Sequence, residues 1–531
     1  MSAEKIYHSP YPDVKLPETS CWHFVFDKPN PPEDKVIYVD GLTNRQIKFQ
    51  ELKSLTKRLA YGLIHRAKVR PDDVILAFSE NTLLYPAFVQ AALASSLCVT
   101  LANPTYQVDE LVHHIKDAGA SVLIVGKPVF KMAKQAALKC GITDHNVYMI
   151  EEQDHGGHKS IWSLAGYEEL EPRRLSRQEA EQQTAFMCYS SGTTGKAKGV
   201  ETTHHNVTSV ITQLLSIDPS MYTEKERWLA IVPLYHMYGV LTFILVTPYC
   251  QATSYILPRF EPELWLQSIQ KFRITTGHIV PPLAGLLAKH PIVDKYDFSS
   301  MVKWSCGAAP LGNDVIDMVE KRTKVPLRSA YGMTETTCVI SVTRLDNAKR
   351  GTVGMLLPNM SAKLVDGEIY LKGPNIMKGY LRNPRANAET FTTDGWMKTG
   401  DACRFDADEN IFIVDRIKEL IKYKGFQVPP AELEDLLLSH PDIEDAAVIG
   451  VWDQEQTTEI PRAYVVLSAR AKGRMNVEKE IIPWVAERVA NYKRLRGGIQ
   501  VLDGIPKNPS GKILRRLLRD RSGWKGVSLK L

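Results

Sequence analysis

The stretch Tyr189-Ser190-Ser191-Gly192-Thr193-Thr194-Gly195-Lys196-Ala197-Lys198-Gly199-Val200 gathers small, hydroxylated and basic residues between apolar segments. Glycine lets a backbone approach a ligand closely, and serine and threonine add donors beside exposed N–H groups. With two lysines the stretch has the make-up of a phosphate cradle. A Walker A loop would need four residues between its glycines and a Ser or Thr after the lysine. Here two residues separate Gly192 from Gly195, and Ala197 follows Lys196. Any phosphate is therefore held by another geometry; for the stretch taken alone, the alternative is a flexible linker.

Further chemistry-bearing groups follow in order: Pro233-Leu234-Tyr235-His236, Cys306-Gly307-Ala308-Ala309-Pro310, Tyr331-Gly332-Met333-Thr334-Glu335 and Thr399-Gly400-Asp401. After them come Asp415-Arg416-Ile417-Lys418, Lys422-Tyr423-Lys424-Gly425-Phe426-Gln427 and Pro506-Lys507-Asn508-Pro509-Ser510-Gly511-Lys512. Singly, each has a plain reading. A lone histidine is more often structural than catalytic, Tyr331 reads as core, Asp401 as a turn residue, and Lys512 as a solvated lysine in a basic tail.

These groups must be positioned by a long chain. At 531 residues it exceeds one ordinary core, so two or more domains are expected. Its composition, 44% hydrophobic and 24% charged, is that of a globular protein. No apolar run reaches membrane-span length; the best candidate, Val240 to Val246, stops at Thr247 and Pro248. The first residues lack the apolar core of a secretory signal. Eight cysteines without a C-x-x-C pair argue for reduced thiols inside a cell, against a zinc site or disulfide framework. The net charge is +6, and Arg488 to Leu531 carries twelve Lys/Arg against two Asp/Glu. Such a segment suits nucleic acid, an anionic membrane or a phosphate-bearing small molecule, or is simply a solvated face.

Residues 1–45 read as proline-rich and irregular. Leu52, Leu55, Leu59 and Leu63 recur at helical spacing over Phe49 to His65. Strands at 72–78, 98–101 and 121–125 alternate with helices at 84–97 and 109–118, which implies a parallel sheet covered by helices. After charged, loop-like residues 151–182, the strand Ala185 to Tyr189 delivers the glycine-rich loop at its carboxyl end, where ligands of open α/β sheets sit. The alternation resumes from Trp228 to about Ala330, with strands at 229–232 and 275–280. Between Lys349 and Val414, short β-prone pieces and Gly/Asp turns indicate a small β-rich subdomain. A compact α+β unit closes the chain, with helices at 430–439 and 477–491 and strands at 446–451 and 462–467.

In this order the motifs resemble the adenylate-forming superfamily of acyl-CoA synthetases, firefly-type luciferases and carrier-protein adenylation domains, over nearly the whole chain. Ile421 to Val428 with Pro430-Ala431-Glu432-Leu433-Glu434 looks most like coumarate–CoA ligases and luciferases. The family usually has G-x-P-K-G in the loop, and Ala197 stands where that proline would be; Lys198 and the glycines remain. The fold class implied is α/β: a large N-terminal AMP-binding domain (1–415) of α/β sheet subdomains plus a small β-barrel-like subdomain (about 350–414). A small mobile α+β C-terminal lid domain (416–531) follows, with a hinge near Lys418.

The resemblance implies a two-step reaction: a carboxylate attacks the α-phosphate of ATP to give an acyl-adenylate and pyrophosphate, and the thiol of CoA then displaces AMP. By resemblance, Ser190, Ser191, Gly192, Thr193, Thr194, Gly195 and Lys198 clamp the β- and γ-phosphates. Thr334 contacts the α-phosphate, and Glu335 is the Mg²⁺ ligand, a hard oxygen donor suited to that ion. Gly307, Ala308, Ala309 and Pro310 on one side, with Tyr331, Gly332 and Met333 on the other, form the adenine slot; Asp401 and Arg416 contact the ribose. Lys512 reaches the substrate carboxylate and α-phosphate, and His236 orients that carboxylate. Rotation at Lys418 would withdraw Lys512 and bring in Lys422, with Lys424, Gly425, Phe426 and Gln427 toward CoA.

The implied acyl pocket comprises Tyr235, Tyr238, Gly239, Gly307, Tyr331, Met333, Thr336, Thr337, Cys338 and Val339. Coumarate ligases commonly have A-G-P-V after the glutamate; Thr336-Thr337-Cys338-Val339 departs from that, so an aryl, phenylpropanoid-like or medium-chain fatty acid fits equally. A stand-alone adenylation enzyme for a carrier protein ranks second, because the chain ends soon after Lys512. A luciferase-like oxygenase is barely distinguished, and a non-catalytic nucleotide- or RNA-binding protein is disfavoured because every demanding position is filled. The expected partners are small molecules, not nucleic acid or a membrane span, with a monomer or weak dimer. Ser528-Leu529-Lys530-Leu531 resembles a degenerate peroxisomal address, with a cytoplasmic location as the alternative.

Overall fold

A computed structural model describes residues 5–28, 34–71, 73–190, 197–347, 349–474, 476–508 and 511–521. Ser191, Gly192, Thr193, Thr194 and Gly195 of the cradle, and the terminal Ser528 to Leu531, lie outside the described residues. The molecule is mixed α/β, with a large N-terminal domain and a small C-terminal one.

Two large sheets build the N-terminal domain. One has seven strands, five of them parallel, with the antiparallel strands Lys198–Thr203 and Gly379–Tyr380 added at one edge. The other has nine strands with a parallel centre. Strands such as Val74–Phe78 and Cys98–Ala102 of the seven-stranded sheet are largely apolar, as expected where both faces are covered. The helix Tyr85–Ala94 is buried on every side, whereas Phe49–His65 turns Leu52, Leu55, Leu59 and Leu63 inward.

The apolar run Val240–Val246 is a π-helix that continues into the helix Thr247–Cys250. Wider turns displace carbonyls from the ordinary ladder. Here side chains take them up: the Tyr38 hydroxyl donates to the Phe243 carbonyl at 2.7 Å, Gln90 Nε2 to Ile244 at 2.8 Å and Thr247 Oγ1 to Thr242 at 3.0 Å. Among the described residues no helix is long and apolar enough to cross a membrane.

The β-rich region is a five-stranded antiparallel sheet that ends on Ile411–Arg416. Its outer strand, Ile6–His8, pairs with Ser361–Val365. The N-terminal residues are thus less irregular than expected, since they also supply the helix Cys21–Phe26 and the strand Val36–Asp40.

The C-terminal unit pairs Ile443–Asp453 with Thr458–Leu467 around its own apolar core. The helix Pro430–Ser439 has the expected bounds. The next helix, Glu478–Ala486, stops well short of Asn491; it contains Pro483, which lacks an N–H donor.

The two domains meet through paired charge–helix contacts. Lys289 of the N-terminal domain donates to the carbonyls of Leu438, Ile443 (2.6 Å) and His440 (3.5 Å) at the carboxyl end of the Pro430–Ser439 helix. Asp435 of that helix accepts the N–H of Gly312, which starts the helix Asn313–Thr323. A methyl group on Gly312 would lie 2.9 Å from the Asp435 carboxyl carbon. Lys289 thereby places a cation at the helix end whose dipole favours it, worth about 0.3–1 kcal/mol, whereas burial pushes the Asp435 carboxyl up to about 7. Lys289→Met is expected to loosen this docking and speed tryptic cleavage at exposed Lys418 by roughly two- to fivefold, as read by a cleavage time course. An unchanged rate would show that Lys289 does not hold the domains together.

Candidate active site

Four parallel strands of the nine-stranded sheet, Arg227–Ala230, Thr276–Ile279, Lys303–Cys306 and Leu327–Tyr331, run their carboxyl ends toward one cleft. Tyr331 ends its strand, and Gly307 follows the adjacent one. A side chain on Gly332 would meet the Cys338 carbonyl oxygen at 2.0 Å, so only glycine fits the turn. Thr336 is fully buried; its hydroxyl exchanges hydrogen bonds with the Met333 backbone, and Asn375 Nδ2 donates to the Thr336 and Val339 carbonyls.

Asp401 sits at the centre of the cleft. Antiparallel register sets it opposite Arg416. Oδ1 pairs with Arg416 Nε at 2.7 Å, while Oδ2 accepts the Tyr331 hydroxyl at 2.5 Å. Burial pushes the Asp401 carboxyl up from its ordinary range, opposed by Arg416, Tyr331 and Lys512. Burial pushes the Tyr331 phenol far up, with Asp401 adding, so Tyr331 remains a donor.

Glu335 lies in the turn Thr334–Thr336, where Oε1 accepts the Tyr380 hydroxyl at 2.9 Å. Tyr380 also carries the Lys198 ammonium 4.5 Å from its ring centroid. Lys198 faces Ser190 across the antiparallel register. Among the described residues no cluster of three or more His, Cys, Asp or Glu could hold a metal. A Mg²⁺ ion fits all the same, because it commonly binds one or two carboxylates plus substrate phosphates and waters. Glu335 Oε2 is the oxygen left for it.

His236 starts the short helix Met237–Gly239, and its Nδ1 accepts the Tyr238 N–H at 3.3 Å. The ring proton therefore lies on Nε2, which is left to donate. Burial, reinforced by the charge of Lys512 and opposed by Glu335, pushes His236 down to about 4. Lys512 arrives from the C-terminal domain, its backbone N–H donating to the Asn508 side-chain Oδ1 at 2.8 Å. A methyl on Gly511 would lie 3.0 Å from Pro282 Cδ of the other domain. Burial and Arg416 pull Lys512 below its ordinary range, while Glu419, Asp401 and Glu335 oppose. Lys512, His236, Glu335, Asp401, Arg416 and Tyr331 thus share one electrostatic site.

A cavity opens from it, lined by Gly307, Ala308, Tyr331, Gly332, Met333 and Thr334, by His236, Tyr238, Cys338 and Val339, and by Leu241, Thr242 and Val246 of the π-helix. Tyr235, Gly239 and Thr336 are not in its wall. A methyl on Gly239 would strike the Pro233 carbonyl oxygen at 2.1 Å, so that glycine serves the packing of its turn. Ala309 and Pro310 continue the chain past the cavity, Pro310 exposed. Lys418 is exposed in the turn after Arg416.

Lys422, Lys424, Gly425, Phe426 and Gln427 form an exposed hairpin, with left-handed φ of 46° at Lys424 and 84° at Gly425. Phe426 stacks on Tyr492. The structure does not bring this hairpin to Lys512.

Family comparison agrees with the geometry. Residues 26–381 match the model of the AMP-binding enzymes, and residues 432–512 that of their C-terminal domain. The chain belongs to the AMP-binding enzymes. It is 34% identical to a probable 4-coumarate–CoA ligase 1 of Dictyostelium discoideum, covering 98% of each chain. It is also 35% identical to peroxisomal OPC-8:0-CoA ligase 1 of Arabidopsis thaliana, covering 91% of this chain and 90% of that one. ATP-bound MatB of Rhodopseudomonas palustris superposes with a TM-score of 0.83 at 26% identity, covering 94% and 98%. The enzyme is an acid–thiol ligase of this family.

Tyr380 was not legible from sequence, since a tyrosine in a two-residue strand carries no signal until Glu335 and Lys198 meet it. Arg328 did have one: an arginine inside a central parallel strand stands where a continuous apolar run is expected.

A histidine lowered to about 4 is uncharged above pH 6.5, and its burial destabilises the fold only as pH falls from 6.5 toward that value. His236→Ala is therefore expected to lower turnover by roughly tenfold without shifting the pH–rate profile near neutrality. Loss of an inflection near 6.5, the ordinary histidine value, would make His236 a titrating base instead.

Proposed function

We propose that the enzyme forms an acyl-adenylate from ATP and a compact carboxylic acid, then passes the acyl group to CoA. The observation that carries this reading is the convergence of Lys512, Arg416, Asp401, Glu335 and His236 on the mouth of a cavity whose walls are largely apolar. Two anions, carboxylate and α-phosphate, must approach each other. The Lys512 ammonium offsets that repulsion, and preorganised donors act strongly in a site shielded from water. His236 Nε2–H holds one carboxylate oxygen. The freed acyl carbonyl is then placed beside Gly307 and Thr334.

Ser190 and Lys198, with the cradle between them, hold the departing pyrophosphate; they transfer no phosphoryl group. Mg²⁺ held by Glu335 would neutralise charge on the phosphates. Asp401 accepts from the ribose hydroxyls, with Arg416 beside it, and the adenine lies between Gly307-Ala308-Ala309-Pro310 and Tyr331. Tyr380 ties the metal ligand to Lys198, so the α-phosphate and leaving-group sides move together.

The second half-reaction needs Lys512 out of the way. Domain boundaries at 415/416 and a hinge at exposed Lys418 would let the C-terminal unit turn and present the Lys422–Gln427 hairpin to the adenylate, Gly425 offering no side chain to obstruct pantetheine. The cavity volume is about 90 Å³, against roughly 150 Å³ for one that takes benzene. That favours a short, compact acid over a long fatty chain.

Lys512→Ala is expected to cut acid-dependent ATP–pyrophosphate exchange on the order of a hundredfold or more, while CoA still discharges a supplied acyl-adenylate. A panel of acids, followed by mass spectrometry for adenylate and thioester, identifies the substrate. Unchanged exchange in the variant would refute the assignment of Lys512.

A further inference from the structure

The wall of the acyl cavity is not wholly apolar. Arg328, Tyr222, Tyr238, His278 and Ser305 share it with apolar residues such as Trp228. Arg328 projects from the central strand Leu327–Tyr331 and is 6% exposed. Its Nη2 donates to the Tyr222 hydroxyl at 2.6 Å, and Nε makes a long contact with Ser305 Oγ at 3.4 Å. A guanidinium has five N–H donors, and Arg328 makes no ion pair with any described carboxylate.

The surrounding charges do not neutralise it. Glu226, the nearby buried carboxylate, accepts from Trp228 Nε1 at 2.9 Å, Thr275 Oγ1 at 2.8 Å and Thr276 Oγ1 at 2.7 Å. It also lies 4.0 Å from the ammonium of Lys303, a second buried cation. Asp218 acts on Arg328 only at a distance, after the two tyrosines. His278 adds no negative charge: burial, Arg328 and Lys303 keep it neutral, and its Nδ1 meets the Tyr238 hydroxyl at 3.2 Å. The His278 Nε2 is buried without a hydrogen-bond partner among the described residues.

A buried cation without a counter-charge is costly, and removing its partner costs more than an apolar replacement would. Open N–H donors facing a cavity are what an anionic ligand group would satisfy. We propose that the substrate is a dicarboxylic acid, whose second carboxylate pairs with Arg328 while the first reacts at Lys512. Arg328 is then the specificity-determining residue and Tyr222 its positioning partner. This rests on the ligase reading above and names its substrate class.

The test measures kcat/KM for ATP–pyrophosphate exchange with the intact enzyme on matched pairs: phenylpropanoate and its para-carboxy derivative, hexanoate and adipate. The wild type is expected to prefer the second member of at least one pair on the order of a hundredfold. Arg328→Met should abolish that preference by lowering only the dicarboxylate value, and Arg328→Lys should restore part of it. An equal fall for both members of a pair, with thermal unfolding unchanged, would show a structural role and overturn the proposal. If Arg328→Met does not fold, the wild-type preference decides: adenylate from the monoacids only overturns the inference and leaves the ligase reading standing. No adenylate from any acid overturns both.

Discussion

The site depends on keeping Asp401 an anion in a place that disfavours anions. Burial pushes its carboxyl toward protonation; Arg416, Tyr331 and Lys512 push back. Each comes from a different piece of the molecule: Arg416 by strand register in the five-stranded sheet, Tyr331 from the end of a strand in the nine-stranded sheet, Lys512 from the C-terminal domain. Breaking a buried pair of this kind costs on the order of 3–5 kcal/mol, because the remaining charge is left without a partner. Arg416 and Lys512 would then repel with only Glu419 and Glu335 to offset them. One carboxylate therefore makes the placement of three structural units interdependent.

That interdependence has to be reversible if one pocket is to serve two half-reactions. The contacts at the domain boundary have suitable strength. Lys289 at its helix end supplies a fraction of a kcal/mol to about one. The much stronger ionic contacts stay within the C-terminal region: Arg515 forks onto Glu434 at 2.7 and 2.8 Å and reaches Glu419 at 3.0 Å. Arg515 lies three residues beyond Lys512, so the turn that presents Lys512 is anchored to its own domain and moves with it. Strong contacts inside the body and weak ones at its edge are what a shift between two populated states requires.

Much of this was visible in the residues. Leu52, Leu55, Leu59 and Leu63 fixed a helix by period, and the order of the Gly-, Asp- and Lys-bearing motifs placed the chemistry. What stayed hidden depended on distant partners. Ile6–His8 has strand character only because Ser361–Lys363 offers it an edge. Thr336 looked like a pocket residue by sequence adjacency, but the turn spends its hydroxyl on the Met333 backbone. Tyr235 and Gly239 were placed in the wall by the same adjacency, and the tight turn at Pro233 directs them elsewhere. Local pattern reports period and turn chemistry; it does not report which side of a tight turn faces a ligand.

The cavity shows why its shape persists. Its flank is the π-helical segment, whose displaced carbonyls are held by the side chains of Tyr38, Gln90 and Thr247 from neighbouring elements. Return to an α-helical winding would strand those donors and rotate Leu241, Thr242 and Val246 out of the wall. Arg328 and Tyr222 share its wall, the guanidinium carbon 5.6 Å from the ring centroid. An apolar pocket can shrink by side-chain collapse and gain contact energy in doing so. A pocket with an unpaired cation in its wall cannot, because collapse would drive apolar groups against the charge and remove what remains of its solvation. The same feature that selects the ligand therefore keeps the cavity open to receive it.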